Sequence, residues 1–242
     1  TLYVDGLGRP LQTVLRQATP GSSPTDMVQP VIYDAFGREA YQYLPYAAAS
    51  NTGAFKTDPF TDQAAFYSSA QFNGEDAFFS QTDFEASPLS RPLSTYAPGN
   101  SWVGSGRGIE YKYLINNDDD DIRIWNIDNN EPVSGVDDVY DAGTLYKHVM
   151  LDEAGNAVVE YKDKSGNVIL KKVQIGDNIP TDYSGQDDKW LCTYYVYDDL
   201  NRLRFVLSPK AVKYLYDNAW TFDVNSVVLD ELCFRYKYDM RN

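Results

Sequence analysis

The sequence predicts a mainly β chain of antiparallel hairpins and meanders, with one or two short helices and a long ordered irregular insertion. Two observations predict it. The first is a turn skeleton that recurs: an Asp, two free positions, a Gly or Asn, and then usually Arg or Asn. The second is tyrosine, at 20 residues against 11 Phe and 4 Trp in 242. A ring for the core and a hydroxyl for water or backbone suit the half-buried face of a pleated sheet.

The skeleton appears as Asp5-Gly6-Leu7-Gly8-Arg9, Asp34-Ala35-Phe36-Gly37-Arg38, Asp152-Glu153-Ala154-Gly155-Asn156 and Asp163-Lys164-Ser165-Gly166-Asn167. A fifth copy is Asp198-Asp199-Leu200-Asn201-Arg202, and Asp239 to Asn242 reads as a sixth within which the chain ends. A type I turn followed by a bulge explains the spacing. The first Asp accepts a hydrogen bond from the backbone two residues on. The fourth position needs positive φ, which Gly allows and Asn tolerates. A β-branched residue there costs on the order of 1–2 kcal/mol. An aromatic or aliphatic residue precedes each turn (Tyr3, Tyr33, Leu151, Tyr161, Tyr197, Tyr238), so each copy reads as strand, tight turn, strand.

Residues 1–44 hold the first two copies. Leu11, Thr13 and Leu15 alternate with Gln12, Val14 and Arg16, a strand facing two environments. Val28–Tyr33 and Arg38–Leu44 follow as strands, with Tyr41 and Tyr43 on one face. Residues 45–140 form an insertion. Asp58 or Thr61 is placed to cap a short helix reaching about Phe72. The chain from there to Gly108 reads as an ordered irregular flap laid across a sheet or closing one end of it, because Phe78, Phe79, Phe84, Tyr96 and Trp102 are too many aromatics for a disordered linker. Ile109–Ile115 and Ile122–Ile127 read as a hairpin with Asn116 to Asp121 as its tip. Residues 141–242 return to the repeat. The turns at Asp152 and Asp163 are eleven residues apart, leaving a strand of about six. Ser208-Pro209 reads as N-cap and first turn of a helix over Lys210–Asn218 that presents Val212, Leu215 and Tyr216 to the sheet. Leu232–Tyr238 is the last strand.

Net charge is −14, from 35 acidic and 21 basic residues, which argues against nucleic acid and against an anionic membrane surface. No apolar run approaches the roughly 20 residues of a membrane helix, so no membrane insertion is expected. Cys192 and Cys233 sit in apolar, strand-like runs and read as buried thiols, with a disulfide as the alternative. His148 is the single histidine; a dyad with either cysteine is formally possible, but nothing local supports it. The run Asp118 to Asp121 lacks the alternating carboxylates and Gly of calcium loops, so it reads as a solvated hairpin tip. No cofactor, metal or catalytic residue is expected.

The turns carry a resemblance. Tyr33-Asp34-Ala35-Phe36-Gly37-Arg38 matches the Tyr-Asp-x-x-Gly-Arg core of the YD repeat of the RHS (rearrangement hot spot) family, and Tyr197 to Arg202 matches except at Asn201. Thr82-Asp-Phe-Glu-Ala-Ser-Pro-Leu and Tyr96-Ala-Pro-Gly-Asn-Ser-Trp look like the uncharacterised domain heading certain bacterial RHS proteins. The resemblance implies a curved or spiralling sheet that forms part of a hollow shell. It implies a secreted or cell-surface bacterial protein of non-enzymatic, structural role. Its partners would be the rest of that shell and a C-terminal cargo or toxin domain, with secretion machinery or a surface glycan as further ones. An extracellular adhesion or carbohydrate-binding module is the alternative. The repeats here are irregularly spaced, and the family's self-cleaving aspartyl core has no counterpart.

Overall fold

Strands form where Tyr-rich positions alternate with polar ones, and turns fall where Asp and Gly punctuate them. The computed structural model describes residues 1–135, 138–186, 188–222 and 227–239, which divide into two units, 1–110 and 111–242. The fold is mainly β, and the strand pairs are antiparallel.

In the first unit β1 (Leu2–Val4), β2 (Pro10–Leu15) and β3 (Met27–Pro30) pair in order. β4 is Tyr41–Tyr43, and β5 (Tyr46–Ala47) pairs with β3. α1 spans Pro59–Tyr67; Asp58 occupies its N-cap, but its side chain makes no capping bond. β6 (Phe79–Phe84) pairs with β4 and with β7 (Pro92–Tyr96), and β7 pairs with Ile109 and Glu110 at the start of β8 (Ile109–Ile115). The core is Val14, Val28, Tyr46, Ala48 and Tyr67, with Phe66, Phe72 and Phe78 packed against it.

One expectation is corrected here. The segment expected as a flap supplies two strands, β6 and β7. Ser80, Gln81, Thr82 and Asp83 give β6 no apolar alternation, and pairing on both edges, rather than propensity, makes it a strand. In β2 the buried positions are Gln12 and Val14, while Leu15 is exposed. Gln12 is satisfied by the backbone of Lys56, donating to its carbonyl and accepting from its N–H.

In the second unit β9 (Asn126–Asp128) and β10 (Glu131–Val133) form a separate hairpin. The larger sheet runs in the order β16 (Cys233–Arg235), β15 (Leu203–Leu207), β14 (Trp190–Tyr197), β13 (Val168–Gln174), β12 (Ala157–Lys162), β11 (Tyr146–Leu151), β8. The expected hairpin between 109–115 and 122–127 is therefore not formed: β8 lies beside β11, and the chain after Asp121 turns elsewhere. α2 (Pro209–Asp217) starts where Ser208 accepts a hydrogen bond from the Ala211 N–H, and α3 is Val228–Glu231. α2 buries Ala211, Val212 and Leu215, whereas Tyr216, expected inward, is exposed. The last strand is shorter than the expected Leu232–Tyr238.

Candidate functional site

Five of the Asp turns have one geometry. The Asp N–H donates to the carbonyl four residues on, and the fourth residue's N–H donates to the Asp carbonyl. The Asp Oδ1 accepts two backbone N–H groups, at two and four residues on, at 2.8–3.0 Å. The Oδ2 accepts the side chain of the fifth residue, from Arg9, Arg38, Asn156, Asn167 or Arg202, also at 2.8–3.0 Å. One carboxylate thus closes the turn and clips down the residue that leads into the next strand. The fourth residue is left-handed in all five, with φ of 80° at Gly8, 76° at Gly37, 83° at Gly155, 87° at Gly166 and 60° at Asn201. Strand register shifts beside the turns at Asp5, Asp163 and Asp198, as a bulge requires. Asp239 is exposed, and Asn242 lies outside the described residues.

A clip that sequence reasoning missed lies at Glu85. Its N–H donates to the Arg91 carbonyl, and Arg91 Nε and Nη2 reach its carboxylate at 2.8–3.1 Å. Inside that loop Ser87 Oγ donates to Glu85 Oε1 and accepts the Leu89 N–H, while Ser90 takes the left-handed position with φ 49°. The acid is one methylene longer and the loop two residues longer, so the motif does not match by spacing. The available signal was Phe84-Glu85 followed by Ser87-Pro88, a Tyr-Asp equivalent before a turn.

The clips also touch the rings that open later turns. Arg9 lies over Tyr33 at 4.5 Å, Arg38 over Phe84 at 4.6 Å, and Arg202 over Tyr238 at 5.2 Å. Asn167 Nδ2 reaches Asn201 Oδ1 at 3.1 Å. The clip electrostatics follow. The Arg9 and Arg38 N–H bonds lead the effects that hold the Asp5 and Asp34 carboxyls below the usual range, and the Asn156 amide leads at Asp152. Arg91, then Ser87, hold Glu85 at about 2. Burial by itself would raise Asp198, but the Arg202 bonds and those from the Arg202 and Leu200 N–H groups outweigh it and leave it at about 2.

A second polar constellation is buried in the unit of residues 111–242. Paired residues across the sheet share a face, and one inward row is Lys147, Tyr161, Leu170, Tyr194, Leu207, Cys233. The next is Val149, Val159, Lys172, Cys192. Asp120 enters from the 116–121 connection. Its Oδ1 accepts Lys147 Nζ at 2.7 Å and Tyr161 Oη at 2.6 Å, and its Oδ2 accepts the Asn117 N–H at 2.9 Å. Lys172 Nζ donates to the carbonyls of Tyr183 and Gly185 and lies 4.4 Å over the Trp190 ring. Burial lowers the Lys172 ammonium to about 8, and burial followed by the Asp120 charge pushes the Tyr161 phenol up, keeping it a proton donor. Gln186 ties the remainder, donating to the Asp121 carbonyl and accepting from Tyr194 Oη. Asp120, Lys147, Tyr161, Lys172 and Tyr194 are all buried, and Gln186 is half-buried at the edge of the network. The network pins residues 116–121 and 183–186 to the inner face of the sheet.

This corrects the reading of Asp118 to Asp121 as a solvated tip. Asp118–Asp120 is one turn of 3₁₀-helix with a capping box from Asn117, and Asp120 is 1% exposed. A lysine and a tyrosine occupy the oxygen a cation would need, and no group of three metal-type side chains is placed to hold an ion among the described residues. His148 pairs with Glu160, Lys171 and Thr193 in an outward row, opposite the face of Cys192 and Cys233, so the dyad is excluded by register. Neither cysteine is in a disulfide.

In the unit of residues 1–110, Asp26 is a buried hub. Its carboxylate accepts Lys56 Nζ at 2.9 Å, the N–H groups of Gly53 and Gln17, and Ser50 Oγ. Burial would raise it, but the Lys56 side chain and these N–H groups hold it at about 2. Lys56 Nζ lies 2.6 Å from Ser50 Oγ, the distance of a serine–lysine dyad. The same Nζ also pairs with Asp26 Oδ2 at 2.9 Å, which ties Lys56 to the hub.

No helix among the described residues is long and apolar enough to cross a membrane. No curated protein matches the chain. Residues 1–115, slightly under half of the chain, match the family model described as Domain of unknown function (DUF6443), a stretch that holds the clips at Asp5, Asp34 and Glu85 and the Asp26 hub.

Proposed function

We propose that the chain is a non-enzymatic structural segment of a secreted RHS/YD-repeat β-shell that encloses or presents a C-terminal cargo or toxin domain. One observation carries the reading: acid clips of one design whose arginines stack on the ring that opens a later turn. Repeats that meet through such contacts gain stability from their neighbours, as in other quasi-one-dimensional assemblies. The polar side chains best placed for chemistry, Lys56 and Lys147, are instead locked to carboxylates that organise loops. The test is limited proteolysis of the complete gene product, followed by mass spectrometry. A C-terminal segment that stays intact behind resistant repeats until they unfold supports the reading. Release of residues 1–242 as a compact piece sheltering nothing sinks it.

A second reading, carbohydrate binding, draws on a groove of about 230 Å³ lined by Tyr111, Tyr113, His148, Met150, Glu160 and Lys171. Tyr and His rings meet edge to face there, at 5.3 Å between Tyr113 and His148. Titration of the isolated chain with oligosaccharides, read by tyrosine fluorescence, decides whether the groove takes a sugar.

A further inference from the structure

On a chain of net charge −14, one concavity of about 420 Å³ is lined by Arg202, Arg204, Arg235, Lys237, Asn130 and Tyr238. We propose that this concavity is a binding site for a phosphate or sulfate oxyanion. Its cations are unequally committed. Arg202 clips Asp198 at 2.9 Å, and Arg204 stands 3.6 Å from the same carboxylate. Arg204 also donates from Nε to the Tyr236 carbonyl and from Nη2 to Asn130 Oδ1. Among the described residues, the acid that Arg235 meets is the exposed Asp230, at 3.9 Å, and its guanidinium lies over the Phe205 ring. Lys237 has no ion pair among the described residues. Asp239, the next acid in the chain, is exposed. Four cations thus line the concavity, and the carboxylates they pair with among the described residues include Asp198, held tightly, and Asp230, held loosely. A guanidinium offers five donors in a planar fork, and Arg235 spends few of them within the protein.

An oxyanion fits this chemistry better than a carboxylate does. Its several acceptors can take Arg235 and Lys237 together, and charge-assisted N–H···O bonds are about twice as strong as neutral ones. Arg204 and Arg202 are held from behind by Asp198, so their orientation is prepaid.

The test is calorimetric titration of the chain with inorganic pyrophosphate at fixed ionic strength, with chloride as reference. Saturable binding by the wild-type chain is expected, weakened at least tenfold in R235Q/K237Q. It should survive in K164Q/K210Q, which removes the same charge elsewhere. Near-ultraviolet dichroism checks that both variants are folded. Absence of saturable binding by the wild-type chain, or equal weakening in both double variants, overturns the site. A sulfated disaccharide and its desulfated form make the second arm. Preference for the sulfated sugar over pyrophosphate supports the site with polymer-borne sulfate as ligand, and the reverse order supports it with phosphate. The result is independent of the shell reading, which the proteolysis experiment decides.

Discussion

The guanidinium of Arg9 lies 4.5 Å over the ring of Tyr33, so the residue that ends the first clip rests on the residue that opens the second. Arg9 also holds Asp5 Oδ2 through Nε and Nη2, both at 2.8 Å. Turn closure and contact with the next turn therefore share one side chain. Arg38 repeats this with Asp34 and Phe84, and Arg202 with Asp198 and Tyr238.

The first prediction is energetic coupling between Arg9 and Tyr33. A double-mutant cycle of R9A and Y33A, read by urea denaturation, should give an interaction term of about 0.5–1 kcal/mol, the range for a part-exposed cation–π pair. R9K should lose much of the stability that Arg9 confers, because an ammonium cannot grip Asp5 and cover the ring with one plane. Additive single mutants would show that the stacking is incidental.

The second prediction concerns acid. Glu85 and Asp198 are both held at about 2, against ordinary values of 4.5 and 3.8. Depressed carboxyls contribute stability that is complete above their unfolded values and is lost as pH falls toward the folded ones. The chain should therefore lose stability between about pH 4.5 and pH 2. Asp26 and Asp182, also held at about 2, contribute to the same window. The variant E85Q/D198N should be weaker at pH 7 and show a shallower fall of urea midpoint between pH 6 and pH 3. An unchanged slope would assign the acid sensitivity to other groups.

How far the sequence could be read depends on the range of each interaction. Asp34 to Arg38 was legible because all its bonds close within five residues. Glu85 to Arg91 was not, since a longer acid and two extra residues satisfy the same bonds through Ser87. Lys147 and Lys172 were missed for another reason. Their alternation with Leu145 and Val149, and with Leu170, places them inward, yet a charge in an inward position makes sense only with its partner known. For Lys147 that partner is Asp120, 27 residues back across two intervening elements. The acidic run likewise reads as solvated until one of its four carboxylates is seen to be needed inside.

The third prediction follows from that pair. Lys147 and Asp120 have side chains 2% and 0% exposed, so removing either leaves a buried charge without its counter-ion. K147M and D120N should each cost on the order of 3–5 kcal/mol in urea unfolding. The double variant K147M/D120L should be less destabilised than the sum of singles, because it removes both desolvated charges together. Singles near zero would mean that the pair is open to water in solution.

The fourth prediction separates backbone strain from contact at the left-handed positions. Gly37 and Gly155 have nearly equal φ, 76° and 83°, so an alanine at either pays a similar conformational cost of about 1–2 kcal/mol. Their surroundings differ. A Cβ at Gly155 meets nothing within 4 Å, while one at Gly37 would come within 3.1 Å of Arg9 Nη1. G37A should therefore cost more than G155A, with the excess disappearing in an R9A background, since the added methyl pushes on the arginine that bridges the first two clips. Asparagine should be tolerated at Gly155, as Asn201 is at the same place in its own clip with φ 60°. Thermal unfolding of G37A, G155A, G155N and the R9A combinations measures all of these. Equal losses for the two alanines in both backgrounds would show that Arg9 yields freely and that each turn stands alone.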